Sequence, residues 1–105
     1  VSALPVRESD WQATVVELLE VLGYRTMHVR RTIGKGNRWT TSTSVSGWPD
    51  LFAWRPGRLV AIELKSQRGR VTPEQEQVLA ELAEAGVDCR MARPDDFDEL
   101  HEWLR

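Results

Sequence analysis

A single cysteine, Cys89, occurs among the 105 residues, so no intrachain disulfide can form. With only His28 and His101 besides, no Cys/His set has zinc-ligand spacing. No apolar run is long enough to span a bilayer and the start does not read as a signal segment. The expectation is a soluble, cytoplasmic chain with no membrane partner. There is no internal repeat, and the length suits one core rather than two, giving a single domain over 1–105. Zinc-finger and helix-turn-helix patterns are missing too, which leaves no dedicated module for reading bases.

The most telling scarcity is of acid in the middle of the chain. Residues 21–72 hold ten basic side chains and only two acids, Asp50 and Glu63, a local net charge of +8. The remainder holds four basic and fourteen acidic side chains, a net −10, so the overall −2 conceals a basic centre between acidic flanks. A phosphate backbone responds to local positive surface, so this distribution favours a nucleic-acid partner although the total charge does not.

Apolar positions Trp11, Val15, Leu18, Leu19 and Leu22 recur at helical spacing from about Glu8, and Gly23 supplies the stop. Tyr24 to Arg31 reads as a strand, and 32–47, rich in Gly, Ser, Thr and Asn, as a long loop or irregular hairpin. Two apolar strands follow, about 50–55 and 58–65, joined by Pro56-Gly57. Thr72 and Pro73 open a second helix with a stripe of Val78, Leu79, Leu82 and Ala83, closed by Gly86. A short strand from Val87 to Ala92 and a last helix from Pro94, burying Phe97, Leu100 and Leu104, complete the order α-β-β-β-α-β-α. The fold class is α/β, a mixed sheet flanked by helices.

Within this order the chemistry concentrates in Gly47-Trp48-Pro49-Asp50-Leu51 and Ile62-Glu63-Leu64-Lys65. Strand alternation puts Glu63 and Lys65 on one face and Leu64 on the other. Charges inside an apolar strand are costly unless paired or bound to a metal. Asp50, brought from the adjacent strand, adds a second carboxylate beside Glu63. Two carboxylates and a lysine at a strand edge suit Mg²⁺-dependent cleavage of a phosphodiester. Taken alone, Glu-x-Lys is more often a cross-strand ion pair, and Asp50 could simply cap the turn that opens its strand.

The combined pattern, Gly-x-Pro-Asp, then Glu-x-Lys, then Thr-Pro-Glu-Gln before an apolar helix ending in Gly, resembles the PD-(D/E)XK (restriction-endonuclease-like) nuclease superfamily. More narrowly it is similar to the VRR-NUC family, whose small members are often phage proteins, and the likeness runs from the first helix through Arg93-Pro94. The resemblance implies a restriction-endonuclease-like core. It implies that Asp50 and Glu63 bind Mg²⁺ or Mn²⁺ with the backbone carbonyl of Leu64. Lys65 would hold or deprotonate the attacking water and stabilise charge on the phosphate. Glu8 would reach a metal through water, and Gln75 would orient the water or a phosphate oxygen. For a phage-encoded member, the compartment would be the host cytoplasm.

Local chemistry competes with two of these roles. Thr72-x-x-Gln75 is a capping box, so Gln75 could merely satisfy the helix end, although it also extends the apolar stripe towards the strand ends. Ser9-x-x-Gln12 could likewise cap the first helix and leave Glu8 outside it; alternatively the helix starts earlier, with Glu8 and Gln12 at the polar end of its stripe. Candidate DNA contacts are Arg30, Arg31, Lys35, Arg38, Arg68, Arg70 and His28. Trp11 and Trp103 read as core, whereas Trp39 and Trp48, in or beside the basic loop, could stack on an unpaired base or fill a loop pocket.

The expected activity is therefore a Mg²⁺-dependent endonuclease selective for DNA structure, with branched DNA such as a Holliday junction as substrate and a homodimer matching that junction's symmetry. The alternatives are a monomeric nicking or flap endonuclease, and a non-catalytic DNA-binding module of the same fold.

Overall fold

The computed structural model describes residues 7–28, 31–33, 39–41 and 44–105, with 31–33 and 39–41 described by backbone alone. Helix α1 (Glu8–Val21) buries Trp11, Val15 and Leu19, one residue per turn on one stripe. It begins directly after Arg7, so Ser9 lies inside it and the earlier start is the one observed. Helix α2 (Pro73–Glu84) opens as expected, with Thr72 at the cap and Pro73 at the first helical position. Both helices end in the same turn, the Tyr24 and Val87 N–H groups donating back to the Leu19 and Leu82 carbonyls at 2.9 Å.

Strands β1 (Arg25–His28), β4 (Leu51–Arg55), β5 (Arg58–Leu64) and β6 (Asp88–Ala92) form one sheet in the order β1-β4-β5-β6. The first two pairings are antiparallel, while β5 and β6 run parallel, α2 making the crossover. Between β1 and β4, β2 (Arg31–Ile33) and β3 (Trp39–Thr41) pair as a separate antiparallel ribbon. The described parts of the region read as a loop or irregular hairpin thus include an antiparallel strand pair, and Arg25–His28 and Arg31 belong to two different sheets. The rest follows the expected order, and the arrangement is compatible with a restriction-endonuclease-like fold.

One face of the sheet supplies Leu51, Ala53, Val60, Ile62 and Leu64 to a core closed by Trp11, Val15 and Leu19 of α1. Leu100 and Leu104 of α3 (Phe97–Leu104), which follows a 3₁₀ turn at Pro94–Asp96, complete it. Phe97 is half-buried and meets the Trp11 ring edge-on at 6.3 Å. Leu64 therefore points into the core, and alternation turns Glu63 and Lys65 to the opposite face.

At the hairpin end of the sheet, arginines do structural work. Arg55 donates to the Leu22 and Leu104 carbonyls at 2.9 and 3.1 Å and lies 4.5 Å over the Tyr24 ring. Arg58 donates to the Trp103 carbonyl and to Tyr24 Oη, and pairs with Asp88 at 3.2 Å. Trp103 is half-buried, in contact with the guanidinium groups of Arg58 and Arg90, rather than sealed in the core. These contacts fasten α3 to Tyr24, β4 and β5, and they correct the charge argument: Arg55 and Arg58 serve the fold, away from the carboxylates.

Candidate active site

The turn at Pro56-Gly57 sets the site's register. Arg55 pairs with Arg58 and Leu51 with Ile62, so one further step puts Asp50 level with Glu63. Asp50 Oδ2 accepts the Leu64 N–H at 3.1 Å, fastening the carboxylate to the end of β5. Glu63 is fully buried, and Lys65, next but one on the same face, is 9% exposed. The Lys65 N–H donates to the Ala92 carbonyl, which also receives Trp11 Nε1–H, both at 3.1 Å. The strand end bearing these side chains is thereby held from β6 and from α1.

Gln75 reaches the same place from α2. Its N–H donates to Thr72 Oγ1 at 3.2 Å and its Oε1 accepts the Thr72 N–H at 2.9 Å, completing the capping box. Because the Thr72 N–H can only donate, the amide oxygen must face it. That leaves Nε2 directed at Glu63 Oε1, 3.4 Å away. The two readings of Gln75 are therefore compatible: one oxygen caps the helix while the nitrogen addresses the carboxylate. The amide thus engages Glu63 itself.

The remaining candidates are more dispersed. Glu8 is exposed in the first turn of α1, where a negative charge also suits the helix dipole. Among the described residues no three His, Cys, Asp or Glu side chains converge as a metal-holding group. His28 pairs with Leu51, whose side chain is in the core, so it stands on the α1 side of the sheet. It lines a groove there with Ser9, Gln12 and Val16, on the face opposite Glu63. Arg68 and Arg70 are exposed on the connection that leaves Lys65. The side chain of Arg31 and the whole of Arg30, Lys35 and Arg38 lie outside the described residues, as does the Trp39 ring. Trp48 is half-buried and stacks on Phe52 at 5.1 Å, which occupies one face of its ring. Burial, reinforced by Asp88, pushes the Cys89 thiol up, which disfavours the thiolate and argues against a nucleophilic role.

Sequence reasoning missed one support of this site and gave no role to another. Arg93 Nη1 donates to the Ser66 and Gly69 carbonyls, each at 2.7 Å, and so holds the connection that follows Lys65. Gly47 packs its backbone against the first turn of α2, where a Cβ would stand 2.5 Å from the Glu74 carbonyl carbon. Gly47 opens the Gly-x-Pro-Asp pattern, but nothing in the sequence shows what its backbone packs against.

The side chains of Asp50 and Glu63 offer oxygen donors, which suit a hard divalent cation that retains several waters. A sulfur- or imidazole-seeking metal would find little here.

No curated protein matches the chain. The family model of the VRR-NUC domain matches residues 4–96. With this sheet and this match over most of its length, the chain belongs to the VRR-NUC family of nucleases.

Proposed function

We propose that this protein is a metal-dependent, structure-selective DNA endonuclease that hydrolyses phosphodiester bonds in branched DNA, with a four-way junction as the preferred substrate. The observation that carries the reading is the meeting of Asp50 and Glu63 at the end of β5, with Lys65 on the face of Glu63.

Asp50, Glu63 and the Leu64 carbonyl would hold Mg²⁺ or Mn²⁺, which when bound supplies charge neutralisation at the phosphate and acidifies a coordinated water. The Leu64 N–H holds Asp50 in place, and Gln75 Nε2 orients Glu63. Lys65 Nζ would donate to a phosphate oxygen or hold the attacking water, compensating the charge that grows during in-line displacement. Burial of the lysine stem removes competing water and strengthens that contact. Glu8, exposed at the start of α1, would act only through water. Arg68 and Arg70 would grip the DNA backbone beside the site, joined by Arg30, Arg31, Lys35 and Arg38; His28 would contact DNA from the other face. Backbone contacts report shape rather than sequence, which favours a junction, and a homodimer would present two sites to its two-fold symmetry.

The test is cleavage of matched four-way junction, flap, nicked and plain duplex DNA with Mg²⁺, Mn²⁺ or EDTA. Asp50→Ala and Glu63→Ala should abolish cutting while retaining or tightening DNA binding, and Lys65→Ala should inactivate. Folded variants that still cut would remove those residues from the mechanism. Tight binding by the wild type without cutting in any metal would instead favour a non-catalytic module.

A further inference from the structure

We infer that Gly47 is a positioning residue for the carboxylate pair, acting through the first turn of α2; this rests on the reading of Asp50 and Glu63 as a cation site. Gly47 adopts φ +86°, and a Cβ there would lie 2.5 Å from the carbonyl carbon and oxygen of Glu74 and 2.7 Å from Gln75 N. Those obstacles are backbone atoms, so no rotamer change relieves them.

The contact closes a ring. From Gly47 the chain runs three residues to Asp50, whose carboxylate is bonded to Leu64 N; Glu63 is the neighbouring residue. Glu63 is bonded to Gln75, and the Glu74–Gln75 peptide is the backbone against which Gly47 packs. There is little slack between Gly47 and Asp50, because Pro49 is buried and Trp48 is stacked on Phe52. One turn of helix thus sets Asp50 from one side and Glu63 from the other. Adding a side chain at Gly47 would force a displacement of about 1 Å somewhere in the ring, enough to impair a site that needs fixed geometry.

Gly86 provides the matched control. It has φ +100° but nothing within 4 Å of a Cβ, so alanine there meets the backbone strain without the collision. Calorimetric titration with Mn²⁺ would compare wild type, Gly47→Ala and Gly86→Ala at a temperature where all are folded. Gly86→Ala should melt lower yet bind Mn²⁺ as the wild type does; Gly47→Ala should bind about tenfold to a hundredfold more weakly. Equal affinity in the two variants overturns this inference alone. A wild type that binds no Mn²⁺ overturns the cation site and this inference with it. Should Gly47→Ala not fold, hydrogen exchange on the wild type decides: Mn²⁺ should slow exchange at the amides of 75–78 selectively over those of 81–84. Uniform or absent slowing would overturn it.

Discussion

Gln75 shows how one side chain can satisfy a local rule and still address a distant residue. The capping box asks only for an acceptor at this position, and glutamate meets that requirement as well as glutamine does. Nothing in helix capping calls for the N–H₂ group, whereas Glu63 does. Gln75→Glu separates the two roles. As a cap alone it should be neutral or slightly stabilising. As a partner of Glu63 it should place two carboxylates in contact without cation, lowering stability by about 1–3 kcal/mol. Mg²⁺ should then raise the melting temperature of the variant more than that of the wild type. Equal Mg²⁺ responses would reduce Gln75 to a cap.

Among the elements, the connection from β5 to α2 depends on a remote group. Residues 66–70 have no regular structure, yet the Arg93 guanidinium binds carbonyls at both ends of the turn. Gln67 returns the favour by accepting the Asp95 N–H at 3.1 Å. Arg93→Ala should free this segment, and trypsin should then cut after Arg68 or Arg70 about tenfold faster or more. An unchanged cutting rate would show that the turn holds itself. The same comparison marks what could be read in advance. The start of α2 was legible because Thr72, Pro73 and Gln75 act within one turn. That Asp50 and Glu63 lie on neighbouring strands was legible from the Pro56-Gly57 turn between them, whereas their level register comes from the structure. Arg93 was not legible, because its partners lie 24 to 27 residues away and arginine looks the same whether it meets a carbonyl or a phosphate. For that reason the basic centre was over-read: Arg55 and Arg58 counted towards a DNA surface although they bind the chain's own carbonyls and rings.

Across the whole molecule, the fastening arginines and the proposed site occupy opposite ends of β5. Arg58 marks the first end with its bonds to Trp103 and Tyr24, and Glu63 the second. Arg58→Ala should cost about 2 kcal/mol and lower the melting temperature by about 10 °C. Below that temperature the cleavage rate and the salt dependence of DNA binding should stay as in the wild type. Replacing Arg68 and Arg70 should do the reverse, leaving stability nearly unchanged and making the salt slope shallower by about one per arginine that touches phosphate. A shallower slope for Arg58→Ala would place DNA at the hairpin end and reverse this assignment.

The bond from Tyr24 Oη to the Leu104 carbonyl spans 80 residues and ties the region just after α1 to the last turn of α3. Synthesis is vectorial, so while the ribosome is still adding α3, the pocket for Leu100 and Leu104 stands open and Arg55 and Arg58 lack their final acceptors. The antiparallel β4–β5 hairpin can form early from neighbouring residues, but the layer beneath it cannot close until residue 104 clears the exit tunnel. A nascent nuclease of this design would hold its carboxylates on an unsealed sheet until α3 has emerged and docked, and cutting activity would arrive only then.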